Sequence, residues 1–476
     1  MENHIIESPR SRSRDDRLMA RFMLFLSLYF LLCSICAIFL FKEDNFFALL
    51  GRLLTSPSRL VTDYFALSGV AVTFFNVGVC GLIANAVIYF SRLPINATAF
   101  AAYLLVVAHG FYGLNFLNLW LPMLGVLLYC LVRRAKVSEN AHIMLFATAL
   151  APFVSDLLFA YPLPDRDKFG FSVIGLVLSV LLSVFSGFFA PAVLPGTTAM
   201  HRGYNMYKAG LALGLLGLFL YSFLYPSLGI SEPLPSVTSG MPKPTLLSSQ
   251  GIFAEVSLFV LFLISLMLGF FFNGKSFRGY RSLLRASGYG TDFYHLHGVP
   301  LCFVNFGVYG LALLAYLNAV FVLPLLIPGL PLAACFTGPT VGVVFAALSF
   351  SADGQHVRNV FPIALGYFSL FLVCALGCVA LSRPVAWTLG TQSYVNGFAF
   401  ATGLCPLAGK YGKRFGMLAG FLGATICTVT DEMHGGFVLY NGGFTAGLTA
   451  LILICLLDFY HIKPKFRDDT KENVSQ

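Results

Sequence analysis

Residues 200–215, MHRGYNMYKAGLALGL, occur again as residues 433–448, MHGGFVLYNGGFTAGL. The two stretches are identical at seven of sixteen positions, and the shared residues include Met, His and Tyr. Hydrophobic composition alone does not repeat such residues in register. We therefore predict that the chain consists of two related halves and that its function lies where they meet.

Two further matches extend the repeat. Residues 62–82 match residues 291–311 at eleven of twenty-one positions. The stretch FATALAP at 146–152 matches FATGLCP at 400–406 at five of seven positions. All three matches keep the same order in both halves, which indicates that one half is a copy of the other.

These residues, with a His-x-Gly-Tyr-x-x-Tyr type motif in each copy, resemble an uncharacterised bacterial family of polytopic membrane proteins. That family is built from a duplicated domain of unknown function. The resemblance covers most of the chain. It implies a bacterial inner-membrane protein and supplies no substrate.

The composition leads to the same class of protein. Of 476 residues, 58% are hydrophobic and 11% are charged, whereas ordinary soluble domains have about a quarter charged. The net charge of +9 could suggest nucleic acid, but the basic residues fall at the ends of apolar runs, so we expect the lipid bilayer as partner and no nucleic acid. The eleven cysteines lie singly or at helical spacing inside apolar runs and are expected to be reduced thiols rather than metal ligands.

Fourteen apolar runs predict an all-α, polytopic transmembrane helical bundle of about 14 spans in two repeats of seven. The runs cover residues 18–41, 63–91, 95–112, 115–132, 141–161, 170–190, 207–229, 251–273, 292–318, 333–350, 359–381, 385–407, 415–429 and 437–457. The predicted units are a first transmembrane repeat (18–229), an external linker (230–250), a second transmembrane repeat (251–460) and a cytoplasmic tail (461–476).

The basic residues also predict an orientation. With a cytoplasmic N-terminus, 23 of the 30 Lys and Arg residues fall on the cytoplasmic side, so we expect a multi-pass cell-membrane protein with both termini in the cytoplasm. Because each copy contains an odd number of spans, the second copy is expected to be inserted upside down relative to the first. Inverted-topology repeats of this kind are typical of transporters and also build passive channels.

The matched polar residues are candidates for a substrate path: Asn76, Asn305, His201, His434, Tyr207, Tyr440, Thr148 and Thr402. Each has a structural alternative. The two asparagines could bind helix to helix, and the two histidines could be caps or hinges near opposite surfaces. The two threonines precede Pro152 and Pro406, which either free a carbonyl for the path or simply kink the helix.

The strings before the repeated histidines, residues 190–200 and 423–433, could be unwound so that the next helices present N–H groups to a solute. The glycines of the repeated motif fit close helix packing equally well. Asp63 and Asp292 follow Thr at the starts of matched spans and are expected to be helix caps.

Charged residues in or near the spans are candidates for ion coupling: Asp431, Glu432, Glu255, Asp156 and Lys410. Asp431 and Glu432 form an acidic pair beside His434. Asp156 and Lys410 occupy matching positions with opposite charge, so they could pair across the repeats or simply lie at the interface. Glu255 could be a proton or cation site, or could equally be interfacial.

We therefore expect membrane transport of a small polar or ionic solute, by a secondary transporter or by a facilitator or channel. An intramembrane enzyme using His434, Asp431 or His201 on a lipid-linked substrate is the alternative, and a membrane sensor or scaffold is a third. An HExxH motif is absent, and the literal matches to GxxxxGK[ST] at residues 269–276 and to CxxC at residues 33–36 fall within or at the end of apolar runs, so neither an enzyme activity nor a cofactor is predicted. The sequence leaves substrate, coupling ion and assembly as a homo-oligomer open.

Overall fold

The structure, a computed structural model, describes residues 9–161, 170–231, 236–242 and 244–465. Within these ranges the chain is helical and contains no β-strand, apart from an isolated bridge between Asp63 and Tyr112. The first half forms α1 (Pro9–Phe41), α2 (Phe46–Leu54), α3 (Tyr64–Ser91), α4 (Ala97–His109), α5 (Trp120–Arg133), α6 (Val137–Ala147), α7 (Ala151–Phe159), α8 (Val173–Met200) and α9 (Lys208–Leu224). The second half forms α10 (Ser249–Phe272), α11 (Tyr280–Leu283), α12 (Phe293–His297), α13 (Val299–Leu326), α14 (Gly338–Leu348), α15 (Val357–Ala380), α16 (Gln392–Ala401), α17 (Cys405–Tyr411), α18 (Lys413–Ile426) and α19 (Asn441–Phe459).

In the described part of the chain, eight helices are long and apolar enough to cross a membrane. They are α1, α3, α8, α10, α13, α15, α19 and the run Val137–Phe159, which joins α6 to α7. Their outer faces expose large apolar side chains such as Phe39, Leu181 and Leu376. Such faces are stable where lipid replaces water as the solvent. The predicted class, an all-helical membrane protein, is confirmed at this level.

The other six predicted spans correspond to shorter helices: α4, α5, α9, α14, α18 and the α16–α17 pair. α4 has 13 residues and α14 has 11. At about 1.5 Å per residue these helices are roughly 20 and 16 Å long, less than the roughly 30 Å of hydrocarbon in a bilayer. Eight helices therefore have spanning length by themselves, and the number of fourteen spans stays a prediction.

The repeated sequence has repeated local geometry. Gly69 in α3 and Gly298 between α12 and α13 occupy matching positions and have φ values of 81° and 79°. A 3-10 turn at Thr148–Leu150 separates α6 from α7, and a second at Thr402–Leu404 separates α16 from α17. The interruption that Pro152 and Pro406 predict is thus present in both halves.

The centre of the molecule combines helices from both halves. Every residue of α14 is buried, as is every residue of α4 except Thr98. A Cβ on Gly342 of α14 would lie 2.3 Å from the Ala108 carbonyl oxygen of α4. A Cβ on Gly210 of α9 would lie 2.4 Å from the Gly443 carbonyl carbon of α19. Small residues let these backbones approach closely, as the motif glycines predict.

A polar cavity between the two halves

A cavity of about 380 Å³ lies between the two halves and is lined by both halves and by the linker. Exposed residues such as Ser239 and Leu332 line its mouth, and the buried residues Tyr112, Phe400 and Leu439 line its floor. Its volume is in the range that holds small-molecule ligands. A polar space of this size in a largely apolar protein is the strongest candidate for a functional site.

Asp63 is held at the cavity wall by two helix starts. Its Oδ1 accepts the Phe65 N–H at 3.0 Å, which caps α3, and the Gly338 N–H at 3.0 Å, at the first residue of α14. Burial raises the pKa of the Asp63 carboxyl, and these two N–H groups oppose that effect. The predicted cap is confirmed here, and also at Asp292, whose Oδ1 accepts the His295 N–H at 3.2 Å.

Asp431 lines the same cavity from the turn that follows α18. Its Oδ1 is buried and has no hydrogen-bond partner. Burial raises the pKa of this carboxyl, and the charge of the neighbouring Glu432 adds to that effect. Glu432 itself is exposed, so the predicted acidic pair is divided between the cavity and the surface.

The rest of the polar wall was not predicted. The Thr337 hydroxyl donates to Gln392 Oε1 at 2.7 Å, and Gln392 Nε2 donates to Asn396 Oδ1 at 2.7 Å. Tyr112 is fully buried, and its hydroxyl has no hydrogen-bond partner. The i, i+4 spacing of Gln392 and Asn396, which puts both on one face of a helix, is the signal that could have indicated this wall.

The repeated His motif differs between its copies. His434 Nε2 lies 3.0 Å from Asn441 Oδ1, and Asn441 lines the cavity. His201 is fully buried, and neither of its ring nitrogens has a hydrogen-bond partner. Lys208, which takes the place of Asn441 in the first copy, is exposed. Burial lowers the pKa of both imidazoles to about 4, so both are neutral at pH 7.

The strings before these histidines are not unwound alike. Residues 190–200 are helical through two prolines to the end of α8, which contradicts the unwinding considered for the first copy. Residues 423–433 leave the helix after Ile426 and continue through turns to a 3-10 turn at Glu432–His434. α8 can continue because neighbouring helices support proline-containing turns in membrane proteins.

Asn76 and Asn305 are each used within their own half. Asn76 Nδ2 donates to the carbonyls of Gly110 and Leu114 at 2.8 and 2.9 Å, in the segment after α4. Asn305 Nδ2 donates to the carbonyls of Ser351 and Gln355, both at 2.8 Å, in the segment after α14. Neither residue lines the cavity described above. This geometry favours the structural alternative, in which each amide holds an irregular segment in place.

Backbone hydrogen bonds at the two helix interruptions connect the two halves. The carbonyl of Gly403 accepts the Met206 N–H at 3.0 Å, and the carbonyl of Ala149 accepts the Leu439 N–H at 2.9 Å. One carbonyl in each interruption is therefore paired with backbone of the other copy. The Thr148 and Thr402 hydroxyls donate at 2.6 Å to carbonyls three residues earlier in their own helices.

The two matched tyrosines lie in the packed layer below the cavity. The Tyr207 ring is 4.9 Å from the Phe400 ring, and its hydroxyl donates to the Ala346 carbonyl. The Tyr440 ring is 5.0 Å from the His109 ring, and its hydroxyl has no partner. Both residues thus pack against the floor between the halves.

The remaining charged candidates lie elsewhere. Asp156 is 2% exposed and pairs with Arg59 at 3.2 Å, and the Tyr225 hydroxyl donates to it at 2.7 Å. Lys410 is 4% exposed, and its Nζ lies 5.2 Å from the centre of the Tyr289 ring. The structure therefore does not bring Asp156 and Lys410 together. Glu255 accepts a hydrogen bond from Asn318 at 2.6 Å, between α10 and α13.

The chain matches a family model described as "Protein of unknown function (DUF1576)" over residues 42–225 and 272–459. The chain belongs to this family. The two matched regions coincide with the two halves, as the resemblance to a family with a duplicated domain implies. No curated protein and no solved structure matches the chain.

The DUF1576 regions contain most of the cavity wall. Asp63 and Tyr112 lie in the first region, and Thr337, Gln392 and Asp431 lie in the second. The linker residues at the mouth lie between the two regions. The cavity is thus formed chiefly by residues that both copies of the family domain bring to one place.

Proposed function

We propose that this protein moves a small polar or ionic solute across the membrane through the space between its two halves. The observation that carries the proposal is the polar cavity of about 380 Å³, which opens at one end and lies among helices from both copies. Transporters built from two repeats place their substrate site at the repeat interface.

The two halves are inverted repeats in this proposal. The matched hydrogen bonds from Met206 to Gly403 and from Leu439 to Ala149 support that relation. Copies related by a two-fold axis make such reciprocal contacts, because each contact from the first copy to the second is repeated from the second copy to the first. Seven spans in each copy would place that axis in the membrane plane.

The packed floor favours a transporter that alternates between states over an open pore. Below Tyr112 and Phe400, the ring of His109 lies 5.1 Å from the Tyr112 ring and 6.0 Å from the Phe400 ring. A solute would have to displace this layer to pass. With the predicted cytoplasmic termini, the cavity opens to the outside and the layer is an inner gate.

The experiment is flux through purified protein in proteoliposomes, with a panel of cationic, neutral and anionic solutes and with or without proton and sodium gradients. Accumulation that depends on a gradient identifies a secondary transporter, and equilibration alone identifies a facilitator. Turnover of lipid-linked substrates without flux of any solute would contradict the proposal and favour the enzyme alternative.

A variant that fills the cavity tests whether the transported solute passes through it. Ala334 lines the cavity, and Ala334→Trp would fill part of it. Ala380, exposed at the end of α15, gives the matched control Ala380→Trp. We expect flux to fall in the first variant and to persist in the second. Equal flux in both would show that the solute takes another route.

A further inference from the structure

The charged groups of the cavity have one sign. Among the described residues that line it, the charged side chains are Asp63 and Asp431, and none is Lys, Arg or His. Asp63 already accepts two backbone N–H groups through Oδ1. The buried Oδ1 of Asp431 accepts none. The cavity wall therefore includes a carboxylate with one oxygen that has no partner in the protein.

A second group points to a ligand. Tyr112 is fully buried, it lines the cavity, and its hydroxyl has no hydrogen-bond partner. Buried polar groups in folded proteins are nearly always paired, so an unpaired one in a cavity wall calls for a partner that enters the cavity. A hydroxyl oxygen can accept an N–H, as can the Asp431 carboxylate.

Resting on the proposed function, we propose that the transported solute is a small organic cation whose positive charge is carried by N–H groups, an ammonium or guanidinium type compound. It would bind with its N–H groups directed at Asp431 and Tyr112. The charge of Asp63, which lies at the starts of α3 and α14, would add to the attraction for the cation. Hydrogen bonds between a cationic N–H and a carboxylate are among the stronger ones in proteins.

Helix starts at the cavity would favour an anionic solute, but the two aspartates in the cavity wall favour a cation. α14 and α16 both begin at the wall, at Gly338 and Gln392. A helix start is equivalent to roughly half a positive charge, and Asp63 already faces that of α14. The two negative charges of Asp63 and Asp431 would outweigh the partial positive charge that remains at the start of α16, so an anionic solute would be repelled.

A bare metal ion fits less well than an N–H cation. Groups of three or more His, Cys, Asp or Glu side chains that could hold a metal ion are absent from the described residues. Ca²⁺ and Mg²⁺ take about six or more oxygen ligands. An ammonium or guanidinium group needs only a few acceptors, which this wall supplies.

The test is equilibrium binding to the full-length protein in lipid nanodiscs, measured by isothermal titration calorimetry. The probes are methylguanidinium, its neutral counterpart methylurea, which has nearly the same shape, and acetate. We expect methylguanidinium to bind at least about tenfold more tightly than methylurea and acetate not to bind, because the cation makes charge-assisted hydrogen bonds.

Three variants locate the binding. Asp431→Asn should weaken methylguanidinium binding by about tenfold or more, and Tyr112→Phe, which removes only the hydroxyl, by several-fold. Glu432→Gln removes the adjacent exposed carboxylate and should leave the affinity unchanged. Thermal unfolding of each variant checks that the fold is retained. An equal loss in Asp431→Asn and Glu432→Gln would overturn the site.

The outcomes separate this inference from the proposed function. Equal or tighter binding of methylurea or acetate, or no saturable binding of methylguanidinium, overturns the cation assignment. Flux of neutral or anionic solutes that methylguanidinium does not inhibit does the same, while transport itself stands. Tight methylguanidinium binding in a protein that moves no solute leaves the binding assignment and overturns transport.

Discussion

The two aspartates that line the cavity differ in the hydrogen bonds that their carboxylate oxygens accept. Asp63 is compensated by the N–H groups of Phe65 and Gly338. The buried oxygen of Asp431 has no such compensation. A buried carboxylate oxygen without a partner is costly, which is the physical reason for assigning Asp431 the larger share of ligand binding.

The burial of these two aspartates predicts a pH dependence of cation binding. Burial raises the pKa of both carboxyls, so each takes up a proton at a higher pH than an exposed Asp, whose pKa is about 3.9. As the pH falls through the raised values, the acceptors are neutralised and the affinity for methylguanidinium should fall. Calorimetric titrations between about pH 8 and pH 5 measure this, a range in which an exposed Asp hardly titrates.

The neighbouring groups do not account for such a change. His434 has its pKa lowered to about 4 by burial and stays neutral over this range. Tyr112 and Cys427 are the other titratable groups that line the cavity, and Glu432 adjoins Asp431 on the exposed side. Glu432→Gln should retain the pH dependence. An affinity that falls only where an exposed Asp titrates would contradict the assignment of the two aspartates.

Single residues were predictable where their role is local. The caps at Asp63 and Asp292 follow from Thr-Asp before an apolar run. The partners of Asn76 were not predictable, because they lie 34 and 38 residues further along the chain. Tyr112 gave no signal, since a lone Tyr at the end of an apolar run is most often a core residue.

α9 and α19 belong to different halves and pack so closely that even a methyl group would not fit between them. Gly210→Ala would place a methyl group 2.4 Å from the Gly443 carbonyl carbon, so α9 and α19 would have to separate. Such overpacking costs about 1–3 kcal/mol. We expect the apparent melting temperature of the purified protein to fall by several degrees, measured by thermal unfolding in detergent.

Gly377→Ala is the matched control for that helix substitution. Gly377 lies inside α15, and a Cβ there meets nothing within 4 Å. Replacing a glycine by alanine in an open helical position is neutral or stabilising, because alanine loses less backbone freedom on folding. A fall as large in Gly377→Ala as in Gly210→Ala would mean that the α9–α19 contact is not what matters.

The helix elements were predictable in position more than in length. Pro152 and Pro406 predicted both interruptions, but not that the backbone N–H groups of Leu439 and Met206, each in the opposite half, would donate to carbonyls there. The apolar runs at 95–112 and 333–350 gave helices shorter than a span, because hydropathy does not register where a helix ends. α4 gives way to irregular backbone at residues 110–118, where the Asn115 side chain accepts the N–H groups of Leu117 and Asn118.

For the whole molecule, composition and duplication were enough to predict the class and the two-part plan. The cavity was not, because its wall is assembled from segments as far apart as Leu60 and Gly442. Only the tertiary packing of both copies brings Asp63, Gln392 and Asp431 together. Matched positions in a repeat indicate where to look, but they do not say which members face a common space.

The central claim is that the two copies are inserted in opposite orientations. Ser227 and Tyr460 test it, because both are exposed just beyond the last helix of their copies and are matched by the same offset as His201 and His434. In a background without the eleven native cysteines, Ser227→Cys and Tyr460→Cys are treated in intact cells with a membrane-impermeant thiol reagent. We predict that Ser227→Cys reacts from outside and that Tyr460→Cys reacts only after the membrane is permeabilised. Reaction of both cysteines from the same side would contradict the claim.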